Sequence, residues 1–199
     1  MDMFEFDTSI VESPYPAEKF VARALRSIDD CKILALSGVE ILDYLPQIVD
    51  IYNDAYCEND AFVPLLLSDV EPTANKMAKY VPYKSVILVF SGDRPIGLLT
   101  TIPDFNRLSM TNPMTLMFAQ RAISNIRQYR AILFGVARDF RKKGVEVLLY
   151  NTFRENMVEH CDTLAIGWTI ETNTPLIKLI NRKIGGVETK RYALMRMDV

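Results

Sequence analysis

The chain has 199 residues, 49% of them hydrophobic and 24% charged, with a formal net charge of −2. That length and balance bury a sizeable core in one domain, or one domain with a small appendage, without disulfides or a structural metal. A slightly acidic chain gives no bulk electrostatic reason to bind nucleic acid or an anionic membrane surface, though a local patch suffices for an anionic small molecule.

Three well-separated cysteines, Cys31, Cys57 and Cys161, form neither a zinc pattern nor a disulfide framework, which points to a reducing, cytoplasmic setting. His160 is the single histidine. Metal sites built on several imidazoles are therefore excluded, and any Ser–His or Cys–His chemistry must run through that residue. The acidic stretch 1–7 does not read as a signal peptide, and apolar runs such as 86–90 are too short to span a bilayer.

In chain order, residues 1–16 hold Ser13-Pro14-Tyr15-Pro16 and no periodicity, and read as an extended lead-in. Phe20, Val21, Ala24, Leu25 and Ile28 then recur at three and four, which predicts an amphipathic helix. Together these make an N-terminal segment, 1–31, ahead of a main domain at 32–199. Residues 32–36 read as a short strand closed by Ser37-Gly38. The stripe Ile41, Leu45, Ile48, Val49, Tyr52, Ala55 and Tyr56 predicts a helix with Pro46 in its first turn, where a missing N–H costs little. Asn53, Asp54, Glu58, Asn59 and Asp60 cluster at its end, fitting either solvated surface or recognition of an amine. A further short helix is expected over 69–81.

Two apolar runs, 85–90 and 95–102, flank a Gly-Asp turn and predict a β-hairpin. They are too apolar for a wet face, so helices should cover both sides. The segment 105–130 has its own helical pattern and reads as an insertion. Its stripe of Met114, Met117, Phe118, Ala119 and Ile123 fits plain core, a wall for an adaptable apolar ligand, or the surface of a homodimer.

Residues 131–137 form an apolar strand, expected to be fully buried. It feeds the basic turn Arg141-Lys142-Lys143-Gly144-Val145-Glu146, which opens a helix carrying Val145, Leu149, Phe153, Met157 and Cys161 at intervals of four. A helix's first turn leaves N–H groups without partners at the positive end of the macrodipole, so it can take a phosphate. Gly144 lets the backbone approach closely. The same composition also fits a solvated turn. His160 reads as a dipole partner near that helix's C-terminus, and Trp168 as a core aromatic. A strand over 163–172 leads to Asn173-Thr174-Pro175, a capped helix start. Leu176, Ile177, Ile180 and Ile184 form that helix's stripe, Gly185-Gly186 closes it, and a last strand spans 189–197.

This order resembles the GNAT superfamily of CoA-dependent N-acyltransferases. The resemblance covers about 33–197 and rests on Tyr52-Asn53-Asp54-Ala55, Val63-Pro64, Pro103-Asp104-Phe105-Asn106, Gly135-Val136, Glu171-Thr172-Asn173 and Gly185-Gly186. It implies an α/β (α+β) fold with a mixed, mostly antiparallel sheet, helices on both faces and a helical insertion. It implies acetyl-CoA or another acyl-CoA as co-substrate, and a small-molecule amine or peptide as acceptor. The pyrophosphate would lie on Arg141, Lys142, Lys143, Gly144, Val145 and Glu146. Val136 and Ala137 would hold the pantetheine arm and thioester, and Asn173 is a further cofactor-binding candidate. Two departures stand out: Glu146 replaces a small residue, and Ile180 stands where many members carry an acidic Tyr. Tyr192 or Tyr150 would have to substitute as acid, and Glu171 is the candidate base. The alternative is a non-catalytic GNAT-fold protein that binds CoA, another ligand or a protein partner.

Overall fold

The computed structural model describes residues 2–12, 18–59, 62–107 and 119–193. Its strands are β1 (Asp2–Ser9), β2 (Cys31–Leu36), β3 (Val86–Ser91), β4 (Arg94–Pro103), β5 (Gln128–Val136), β6 (Thr163–Ile170) and β7 (Val187–Ala193). They form one seven-stranded sheet in the order β2-β3-β4-β5-β6-β1-β7. All neighbours are antiparallel except β5 and β6, which run parallel.

The helices are α1 (Glu18–Arg26), α2 (Leu45–Tyr56), α3 (Leu67–Met77), α4 (Ala119–Ser124), α5 (Val145–Met157) and α6 (Thr174–Leu179). Two glycines show that they cover both faces of the sheet. A Cβ on Gly97 would strike Val145 and Leu149 of α5, whereas one on Gly135 would strike Ala55 and Tyr56 of α2. Gly97 pairs with Val136, and successive strand residues face opposite ways, so α5 and α2 lie on opposite sides. Between them β3 is buried from Val86 to Phe90, as its unbroken apolar run requires.

The local signals explain most elements. Pro46 sits in the first turn of α2, after a 3-10 turn over Gly38–Tyr44. The hairpin turns at Gly92, φ +59°. Asn173 caps α6 ahead of Pro175, and a π turn at Ile180–Ile184 then ends at Gly185, φ +79°.

Three expectations change. Residues 2–9 of the expected lead-in are β1, held by β6 on one edge and β7 on the other, while Ser13-Pro14-Tyr15-Pro16 lie outside the described residues. The sheet therefore crosses the expected boundary at residue 31. Phe6 and Thr8 bury one face of β1, but Glu5, on the other face, is also buried, and this inward carboxylate hides the strand pattern. Residues 128–130 of the expected insertion already belong to β5. Met114, Met117 and Phe118 lie outside the described residues. Finally, β5 is not fully buried: Ile132 is 47% exposed.

Candidate active-site cleft

Ile132 is exposed because β5 loses its neighbour. The parallel ladder runs only from the Gln128–Thr163 pair to the Ala131–Ile166 pair. Beyond it the two strands part, and a cleft of about 380 Å³ opens between them. Its walls come from β5 (Arg130, Ala131, Ile132, Phe134), from β6 (Ile166 to Ile170), from Tyr56 and Asn59 at the end of α2, and from Asn173 and Leu176 of α6.

Tyr56 enters the cleft because Gly135 leaves room. A Cβ there would lie 2.9 Å from Ala55 Cβ and 3.1 Å from the Tyr56 ring. The Phe134 N–H donates to the Tyr56 hydroxyl oxygen at 2.9 Å. Burial pushes this hydroxyl up to about 12, although the Phe134 amide pulls the other way. Strand alternation turns the Val136 amide to the same open side as that of Phe134. The Ala137 amide faces β4 instead and donates to Ile96 O at 2.9 Å.

Arg130 is held from behind. Glu5, 2% exposed, accepts from Arg130 Nη1 and, at 2.8 Å, from Lys190 Nζ. Burial alone would raise the Glu5 carboxyl; the hydrogen bonds and charges of Arg130 and Lys190 outweigh it and hold the group below its ordinary value.

Past Val136 the chain makes a 3-10 turn, Arg138–Phe140, and reaches α5 through left-handed Lys142 (φ +67°) and Gly144 (φ +88°). Gly144 packs on α1: an added Cβ would lie 2.8 Å from Ala24 Cβ. Ser27 Oγ donates to Lys143 O at 2.7 Å and fixes the turn from the same side. The Val147 and Leu148 amides both donate to Gly144 O. Among the described residues, the amides of Gly144, Val145 and Glu146 have no acceptor, as befits a helix start.

The basic side chains divide. Arg141 donates to Glu58 at 2.6 Å and to Ala55 O at 3.0 Å. Arg138 pairs with Asp54 at 3.0 Å, and Arg94 forks onto Asp139 at 2.7 and 2.9 Å. Lys142 and Lys143 are exposed, the latter 4.2 Å over the Phe140 ring. Asp54 and Glu58 of the acidic cluster therefore serve the turn's arginines, Asp60 lies outside the described residues, and Asn53 serves the fold by holding both backbone groups of Leu65.

Glu171 is exposed, its backbone amide donates to Asp2 O, and its side chain does not line the cleft. Tyr192 stands opposite Met3 on β7, edge-on to Trp168 at 6.4 Å, also outside the lining. Tyr150 and Ile180 are wholly buried. Trp168, expected in the core, is 68% exposed and lines the cleft. His160 stacks flat on Tyr83, ring centroids 3.8 Å apart. Sequence reasoning missed Tyr56 and Arg130 as cleft residues; Gly135, the side-chain gap facing α2, was the available signal for the first. Among the described residues, no three His, Cys, Asp or Glu side chains gather to hold a metal, and no helix is long and apolar enough to cross a membrane.

A mixed sheet whose one parallel pair splays open beside a glycine-led helix start is the fold of the GCN5-related N-acetyltransferases. A glucosamine N-acetyltransferase region of a fungal multidomain GH3 β-N-acetylglucosaminidase superposes with a TM-score of 0.59 at 12% identity, covering 96% of this chain and 20% of that one. A GCN5-related N-acetyltransferase from Sphaerobacter thermophilus gives 0.57 at 11%, covering 96% and 49%. AAC(6')-Iy, in complex with a CoA bisubstrate analogue, gives 0.53 at 13%, covering 86% and 100%. In sequence, the chain is 22% identical over 162 residues to Protein YghO of Escherichia coli K12, which is 75% of this chain and 41% of that protein. The chain thus spans about two fifths of that relative. No family profile matches.

Proposed function

We propose that the protein is an acyl-CoA-dependent N-acyltransferase that acylates an amine. One observation carries the reading: β5 leaves β6 after Ala131 and leads, through the turn over 138–144, into a helix start whose amides are unclaimed. The residues present fit an acyl-CoA. The amides of Gly144, Val145 and Glu146 would take the pyrophosphate at the positive end of α5, with Lys142 and Lys143 adding charge. The open edge of β5, at the Val136 amide, suits the pantetheine arm. Ala137, whose amide is bound to β4, contributes packing only. Glu171 and Tyr192 do not line the cleft, and this reading assigns them no catalytic role. Placing a neutral amine against a thioester in this cleft supplies much of the rate, so few specialised side chains are needed.

Calorimetric titration with acetyl-CoA, followed by thiol release in the presence of amines and peptides, tests this. Binding should raise the melting temperature, and Lys142→Glu with Lys143→Glu should weaken it. Absence of binding refutes the reading.

A second reading, a GNAT-fold protein that binds without turnover, is favoured by the Arg141–Glu58 pair, which holds one basic side chain away from a phosphate. It predicts CoA binding with no thiol release for any acceptor.

A further inference from the structure

Resting on the acyltransferase reading, we infer that the Tyr56 hydroxyl, and not a β5 backbone amide, is the hydrogen-bond donor to the thioester carbonyl. The argument starts at the strand edge. Where β5 leaves β6, the Phe134 N–H is the first amide whose placement on the open side the structure records directly, and it is already spent on Tyr56 Oη at 2.9 Å. A carbonyl laid along this edge therefore meets the phenol before the amide behind it.

A neutral phenol has one hydrogen. Its oxygen accepts from Phe134, and among the described residues no acceptor takes the hydrogen, while the side chain lines the cleft. The donor is also fixed in place. The ring stacks on Tyr52, centroids 5.0 Å apart, and rests in the gap left by Gly135. The hydroxyl is protonated at neutral pH as any phenol is, burial moves it further from ionisation, and the amide's dipole polarises it toward donation.

The step balances as follows. The amine lone pair forms the C–N bond, and the carbonyl π pair moves onto oxygen, which accepts from Tyr56 Oη–H. As C=O reforms, the C–S bond breaks, the thiolate leaves with that pair, and the nitrogen's extra proton passes to solvent. Tyr56 lends a hydrogen bond throughout and transfers no proton.

The test uses acetyl-CoA carrying a 13C label at the thioester carbonyl, bound to the parent and to Tyr56→Phe. The carbonyl stretch should fall on binding to the parent, and Tyr56→Phe should lose at least half of that shift with little change in affinity. Where a turnover assay is in hand, kcat should drop about 10²–10³-fold, as for loss of one oxyanion donor, with KM for acetyl-CoA unchanged. A fluorotyrosine at 56, nearly isosteric and a stronger donor, should enlarge the shift; this arm keeps the test intact if Tyr56→Phe folds poorly. An undiminished shift in Tyr56→Phe, or tighter binding with a larger shift, would mean the phenol merely plugs the amide and overturns the inference. Failure of the parent to bind acetyl-CoA overturns the acyltransferase reading first, so the two failures are distinct.

Discussion

Replacing Glu5 by Gln should destabilise the protein by about 2–3 kcal/mol at pH 7. The size follows from the exposure of the three partners. Breaking a fully buried ion pair costs about 3–5 kcal/mol because a charge is stranded, whereas an exposed pair is worth about 1 kcal/mol or less. The Glu5 side chain is 3% exposed and Arg130 22%, but Lys190 is 55% exposed and can rehydrate. The cost therefore falls between the two limits. For a chain of this size it corresponds to a fall of about 4–12 °C in melting temperature. The pH dependence has a definite sign. In the folded state the Glu5 carboxyl lies below its ordinary value of 4.5. Its contribution is thus complete above that value and is lost as pH falls through the lower, folded one. Urea melts of parent and Glu5→Gln should differ fully at pH 7 and converge on acidification below 4.5. A difference under about 0.5 kcal/mol at pH 7, or one that persists unchanged in acid, would refute the view that β1 is anchored by this charge cluster.

Other substitutions probe the cleft and the turn. Gly135→Ala should cost about 1–3 kcal/mol, because its Cβ meets Ala55 at 2.9 Å and must push α2 off β5; thermal melts will show it. Gly144→Ala combines a φ of +88° with a 2.8 Å approach to Ala24 Cβ and should also cost about 1–3 kcal/mol. Adding Ala24→Gly should recover part of that loss in a double-mutant cycle, and strict additivity would refute the packing account. Glu58→Gln releases Arg141 from a half-exposed pair, so it should leave stability within about 1 kcal/mol while tightening acetyl-CoA binding at low salt, measured by calorimetry. The Cys161 thiol is fully buried, and burial pushes it up to about 12, so a disulfide reagent should modify it only after unfolding.

The hairpin, α2 with Pro46 and the capped start of α6 were legible because each is written in neighbouring residues. So was the turn at Gly144. The cleft was not, because its cause is the length of the β5–β6 ladder, a tertiary quantity that the apolar run 131–137 cannot record. That run promised burial and produced an exposed Ile132. Nothing local marks Arg130 as buried or paired, because its partner Glu5 lies 125 residues away. Tyr56 continued a helical stripe and was indistinguishable from core until Gly135 was seen beneath it. Glu5 itself concealed a strand, since an acid at an inward position contradicts the alternation by which strands are recognised.

The place of β1 also bears on synthesis. This strand leaves the ribosome long before either of its neighbours: Lys190, which grips Glu5, follows 185 residues later. β1 has no sheet partner until β6, more than 150 residues further along the chain, has emerged, and its second edge waits for β7. Closure of the sheet is therefore tied to contacts distant in sequence, and nascent chains halted before β7 should present the free edge of β1 to chaperones.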